Sequence, residues 1–136
     1  MYLVDTNIFL EVMLSRGKKE DCKAFLRELW KGTIKGIVTD FTVHSIIVLM
    51  DRLRKLDALE VFLKSLSAYK GLYIYPTSLS DELRAIKLSK GRGLDMDDAI
   101  QYAVALSIGV DAIISFDKDF DGLEIPRKEP SQVVSL

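Results

Sequence analysis

The stretch Tyr2-Leu3-Val4-Asp5-Thr6-Asn7-Ile8-Phe9-Leu10-Glu11-Val12-Met13 changes its period in the middle, and the fold is read from that change. Tyr2, Leu3 and Val4 form a short apolar run, as a strand covered on both faces does. After the polar trio Asp5, Thr6 and Asn7, the apolar residues Ile8, Phe9, Val12 and Met13 fall at helical spacing. The unit is strand, polar junction, helix, and it recurs down the chain. Ile37-Val38-Thr39 predicts a second strand, followed by a helix over Asp40 to Leu53 with Val43, Ile46, Ile47 and Met50 at helical spacing. Leu72 to Tyr75 predicts a third strand closed by Pro76, and Ser80-Asp81-Glu82 opens a helix that Gly91-Arg92-Gly93 stops.

Two further helices are expected, over Lys19 to Trp30 and over Asp57 to Leu66. In the first, Cys22, Phe25, Leu26, Leu29 and Trp30 share one face, which predicts a core position for Cys22 and Trp30 alike, and Gly32 ends it. Met96 to Ile108 is apolar nearly all round and predicts a helix buried in the middle of the fold, although its entrance is Asp95, Asp97 and Asp98. Ala112-Ile113-Ile114 predicts a fourth strand, and Leu123-Glu124-Ile125 before Pro126 a fifth, edge strand. Strands separated by helices require right-handed crossovers and a parallel sheet covered on both sides. The expected class is therefore α/β, a three-layer α/β/α sandwich around a central parallel sheet.

The chain has 136 residues, 49% hydrophobic and 29% charged, which predicts a single domain spanning 1–136. A domain of that size buries roughly two thirds of the surface its unfolded chain exposes, so it needs no disulfide to hold a core. The lone Cys22 agrees. Lys and Arg number 19 against 20 Asp and Glu. That balance excludes a protein that coats nucleic acid by charge alone, though not an enzyme acting on it. With no signal-type N-terminus and no apolar run near the ~18 residues of a membrane span, a cytoplasmic location and no membrane association are expected.

Ligands of open parallel sheets gather beyond the carboxyl ends of the strands. Asp5 and the pair Asp117/Asp119 lie just past such ends, and Asp95, Asp97 and Asp98 open the most apolar helix. Each acid has an ordinary use when taken singly. Asp5 can cap the first helix, Asp98 can favour its helix through the macrodipole, and Asp117 can start a turn. Carboxylates grouped at one mouth raise each other's pKa unless a cation sits among them. Oxygen ligands point to Mg²⁺ or Mn²⁺, and one His and one Cys leave no zinc set. Ser115, Asn7 and Thr6 are placed to hydrogen-bond a ligating carboxylate or to cap.

In the order Leu3-Val4-Asp5-Thr6-Asn7, then Gly93-Leu94 through Asp98-Ala99, then Ile114-Ser115-Phe116-Asp117-Lys118-Asp119-Phe120, the chain resembles the PIN domain family, especially its VapC-like toxin branch. The resemblance runs over essentially the whole chain. It implies an α/β/α sandwich, a Mg²⁺- or Mn²⁺-dependent ribonuclease activity, homodimers and a paired antitoxin protein. Asp5, Asp98 and Asp117 match three acidic positions of the family and are the expected catalytic residues, with Asp5 and Asp98 as metal ligands. Ser45 stands where the family usually carries a Glu, and Asp40, one turn earlier, is the nearest carboxylate that can compensate or simply cap.

Asn7, Ser115, Asp40 and Asp119 are the expected supporting residues. His44, beside Ser45, reads either as a phosphate or water contact or as a structural residue of its helix. Lys87, Lys90 and Arg92 precede the acidic helix entrance, and Arg16, Lys18 and Lys19 follow the first helix. Of these, Arg16, Lys87, Lys90 and Arg92 are the candidate RNA contacts. Apolar ridges on Val43, Ile46, Ile47 and Met50, and on Leu59, Val61, Phe62 and Leu66, exceed one core stripe and suggest a dimer or antitoxin surface. Two rival readings remain open: a PIN-fold scaffold that binds RNA or a partner without catalysis, and a receiver-type phospho-acceptor domain.

Overall fold

The structure, a computed structural model, describes residues 1–135; the last residue of the expected domain, Leu136, lies outside them. Strand β1 (Tyr2–Val4) leads into α1 (Thr6–Met13) and α2 (Lys19–Lys31); β2 (Gly36–Thr39) leads into α3 (Asp40–Arg52) and α4 (Leu56–Leu66). Strand β3 (Leu72–Tyr75) is followed by α5 (Leu79–Arg92) and α6 (Met96–Ile108), then β4 (Ala112–Ile114) and the short edge strand β5 (Arg127–Lys128). The five strands form one sheet in the order β3-β2-β1-β4-β5, and every pairing is parallel.

Side chains alternate across the strands, so β1, β2 and β4 each feed two cores. Val4, Val38, Ala112 and Ile114 pack against α1 to α4, where Phe9, Phe25, Ile46, Met50 and Phe62 are buried. Leu3, Ile37 and Ile113 pack on the other side against Ala85, Ala99, Ile100, Ala103 and Val104 of α5 and α6. This is the expected three-layer α/β/α arrangement. From β1 the chain winds outward through β2 to β3, then returns to add β4 on the other side of β1. The reversal opens a crevice between the carboxyl ends of β1 and β4. A receiver-type sheet runs in the order 2-1-3-4-5, which the observed order β3-β2-β1-β4-β5 replaces, so that rival fails at the level of topology.

Three local expectations are corrected. The fifth strand is Arg127–Lys128, not Leu123 to Ile125. Ile113 N donates to Pro126 O at 2.9 Å and Ser115 N to Lys128 O at 3.0 Å, so the segment after the apolar triplet makes the pairing. Ile125 is buried beneath it instead, its N–H bonded to the Tyr102 hydroxyl at 3.3 Å. Trp30 is 45% exposed and packs edge-on against Tyr69, because the buried stripe of α2 ends at Leu29. Cys22 is fully buried, as expected, and burial is the main reason its thiol is pushed up to about 12. Helix α3 is capped by Thr39, whose hydroxyl accepts from Thr42 N at 3.1 Å; Asp40 is the first helical residue, not the cap.

Candidate metal centre

Asp5 continues β1 into the crevice, its N–H donating to Ile114 O at 3.0 Å. It occupies the cap position of α1, yet its side chain makes no capping hydrogen bond. The carboxylate, 3% exposed, is held by two other donors: Ser115 Oγ at 2.6 Å and Gln101 Nε2 at 3.0 Å. Ser115 Oγ in turn accepts from Asp117 N at 2.9 Å, so one hydroxyl fixes the Asp5 carboxylate and the start of the Asp117 turn together. Burial pushes the Asp5 carboxyl above its ordinary range, and the bonds from Ser115 and Gln101 oppose that push.

Asp98 arrives from α6. Asp95 caps that helix, its Oδ1 accepting from Asp98 N at 2.9 Å. Burial first, then the charges of Asp95, Asp117 and Asp5, push Asp98 up to about 8. Asp97 is raised as well, by burial and then by Asp5 and Asp95. Beyond β4, Asp117 Oδ1 accepts from Asp119 N at 2.9 Å, turning both acids toward α6. One carboxylate oxygen from each of Asp98, Asp117 and Asp119 lies within 4.8 Å of the others. Asp5 is outside that group, but its charge reaches both Asp97 and Asp98. Among the described residues no ion pair involves Asp5, Asp97, Asp98, Asp117 or Asp119. Crowded oxygen ligands without a cationic partner fit a hard divalent ion.

Residues 2–125 match the PIN domain family. The chain belongs to that family. Comparison with curated proteins finds no match. Among solved structures, a toxin–antitoxin complex from Klebsiella pneumoniae superimposes with a TM-score of 0.72 at 21% identity, over 96% of this chain and 98% of that one. Mycobacterium tuberculosis VapC20, a toxin that cleaves the sarcin–ricin loop, gives a TM-score of 0.75 at 16% identity, covering 92% and 96% of the two chains. VapBC2 from Rickettsia felis, bound to a promoter DNA fragment, gives 0.69 at 14% identity over 94% and 97%. At these identities the likeness shows the fold, and the PIN sandwich is that fold.

Within this PIN domain the structure brings Asp98, Asp117 and Asp119 together and sets Asp5 and Ser115 beside them. Asn7 sits exposed in the first turn of α1, with no side-chain hydrogen bond seen among the described residues. Asp40 is drawn elsewhere: its Oδ1 accepts from Thr77 N at 3.0 Å and ties the start of α3 to the segment after β3. Ser45 and the exposed His44 line a shallow depression on α3 with Phe41, Val48, Leu49 and Arg52. A buried hydroxyl chain, Thr6 to Thr42 at 3.0 Å and Thr39 to Thr42 at 3.3 Å, locks the starts of α1 and α3 next to Asp5. Arg16, Lys87, Lys90 and Arg92 are all exposed, Arg16 in the α1–α2 turn and the other three on α5.

Sequence reasoning missed Gln101. It is fully buried in α6 and reaches Asp5, 96 positions away in the chain. The available signal was an amide within the apolar run Ala99 to Leu106, one helical turn after Asp97 and Asp98.

Proposed function

We propose that this chain, read as one domain over 1–136, is a divalent-metal-dependent endoribonuclease that hydrolyses RNA phosphodiester bonds and serves as the toxin of a toxin–antitoxin pair. The observation that carries the reading is the group Asp98, Asp117 and Asp119, with Asp5 beside it, at the β1/β4 crevice with no cationic partner among the described residues. Mg²⁺ or Mn²⁺ is the ion that hard carboxylates select. Asp5 and Asp98 are assigned as ligands, Asp117 as the third catalytic carboxylate, and Asp119 as its support. Such an ion, when bound, supplies charge neutralisation for an approaching phosphate and activates water near neutral pH.

The chain's own residues hold that arrangement ready. Ser115 fixes Asp5, Asp95 aligns Asp98 by capping α6, and Asp117 holds Asp119 through its backbone. Arg16, Lys87, Lys90 and Arg92 are the assigned backbone-phosphate contacts of the RNA, with Asn7 at the exposed rim. A homodimer, an antitoxin partner and a cytoplasmic location complete the reading. The solved relatives with antitoxins support the partner, and no helix among the described residues is long and apolar enough to cross a membrane.

The test is cleavage of single-stranded RNA in Mn²⁺ by wild type, Asp5→Asn and Asp98→Asn. Loss of a direct ligand should lower the rate by about 100-fold or more, since even outer partners of a metal site typically cost 10–100-fold. Full activity in both variants would sink the assignment. One observation favours a second reading, a PIN scaffold that binds RNA or a partner without cutting: α3 contributes no carboxylate to the group, Ser45 standing at the usual Glu position and Asp40 being bonded to Thr77. Calorimetry separates the two, because the scaffold takes up no Mn²⁺ at millimolar concentration.

A further inference from the structure

Gln101 is 0% exposed, within the unbroken buried run Asp98 to Ala105 of α6. Its Nε2 donates to Asp5 Oδ1 at 3.0 Å and to Asp97 Oδ1 at 3.3 Å, while its Oε1 is buried with no hydrogen-bond partner among the described residues. A buried acceptor left without a donor is unfavourable, and Met or Leu would fill the same space in α6 without that penalty. Packing alone therefore gives no reason for a glutamine here. What the amide uniquely provides is two N–H groups, both spent on carboxylates from separate elements, one at the end of β1 and one in the first turn of α6.

We infer that Gln101 is a positioning residue of the metal centre: its amide clamps Asp5 to Asp97, so the β1 carboxylate stands at a fixed place relative to the α6 acids before any ion arrives. With Ser115 on the other oxygen, Asp5 is held from both sides, and its rotamer is set by the protein instead of by the ion. Pre-set ligands are the usual reason that outer partners of a metal site matter for affinity. The inference rests on the metal-dependent reading proposed above.

The test compares wild type, Gln101→Met and Gln101→Asn by Mn²⁺ calorimetry and by RNA cleavage over a range of Mn²⁺ concentrations. Gln101→Met keeps the volume and removes both donors. It should stay folded by circular dichroism, weaken Mn²⁺ binding by about 10-fold or more, and lower kcat with KM for RNA unchanged. Gln101→Asn keeps the donors but withdraws them by one methylene, and should weaken Mn²⁺ binding by a smaller factor. A folded Gln101→Met with wild-type Mn²⁺ affinity overturns the inference while leaving the metal reading intact. If the Met variant does not fold, wild-type affinity in Gln101→Asn overturns it equally. A wild-type protein that binds no Mn²⁺ overturns the metal reading and this inference with it.

Discussion

At the mouth of the sheet, Asp98 keeps its proton up to about 8, because burial and then the charges of Asp95, Asp117 and Asp5 oppose its ionisation. Its folded pKa lies above the unfolded value of 3.8, so between about 4 and about 8 the folded state holds a proton that the unfolded state has released. Its contribution to stability is therefore present at low pH, falls as pH rises through that window, and is gone above it. Metal-free protein should be less stable to urea at pH 8 than at pH 5, and Asp98→Asn should shrink that difference. An unchanged pH dependence in the variant would show that Asp98 is not the group responsible. The same proton competes with an ion, so apparent Mn²⁺ affinity should rise about tenfold per pH unit below pH ~8. Asp5, Asp98, Asp117 and Ser115 were legible in the sequence because strand ends and helix starts announce themselves in hydrophobic periodicity. Gln101 was not, because its partner Asp5 lies 96 residues away and no local pattern encodes that approach.

Among the elements, α5 shows how an acid works when it is partnered instead of crowded. Ser78 caps the helix and exchanges hydrogen bonds with Asp81, which also accepts from the Tyr75 hydroxyl at 3.1 Å and pairs with Arg84. Asp81 is 1% exposed, and burial would raise its pKa, but the Ser78 and Tyr75 hydrogen bonds and the Arg84 charge outweigh burial and lower it. Its stabilising effect is thus present above the ordinary carboxylate range and lost as pH falls below it, the opposite direction to Asp98. Asp81→Ala should destabilise the fold by about 2–4 kcal/mol, since it leaves the cap, the tyrosine and the arginine without their acceptor. Urea denaturation at neutral pH checks this. A loss under about 0.5 kcal/mol, the size of an ordinary surface substitution, would contradict it. The helix starts two residues before the position Ser80 suggests, because Ser80 and Ser78 are equally good caps by composition and the capping box chooses Ser78. Strand β5 escaped for a related reason: Arg127 and Lys128 carry no apolar signal, and an edge strand needs none on its outer side.

For the whole molecule, the formal charge of −1 conceals an uneven distribution. Five aspartates, Asp5, Asp97, Asp98, Asp117 and Asp119, meet at one end of the sheet and have no ion pair among the described residues, whereas Arg84 and Arg127 are committed to acids elsewhere. The fold is thus built against its own electrostatics at that end, and the two cores on either face of the sheet supply the stability that permits it. An ion that binds only the folded state must then raise the melting temperature by mass action. At free Mn²⁺ near 100 times Kd, the gain is about 2.7 kcal/mol, roughly 10 °C for a domain of this length. The shift should grow from pH 6 to pH 8, as more of the site is deprotonated and more repulsion is there to be relieved. Asp98→Asn should show little shift at either pH while melting, metal-free at pH 8, no lower than wild type. Differential scanning calorimetry with EDTA and with Mn²⁺ measures all of these. A Mn²⁺ shift of equal size in wild type and Asp98→Asn would place the ion somewhere other than the β1/β4 crevice.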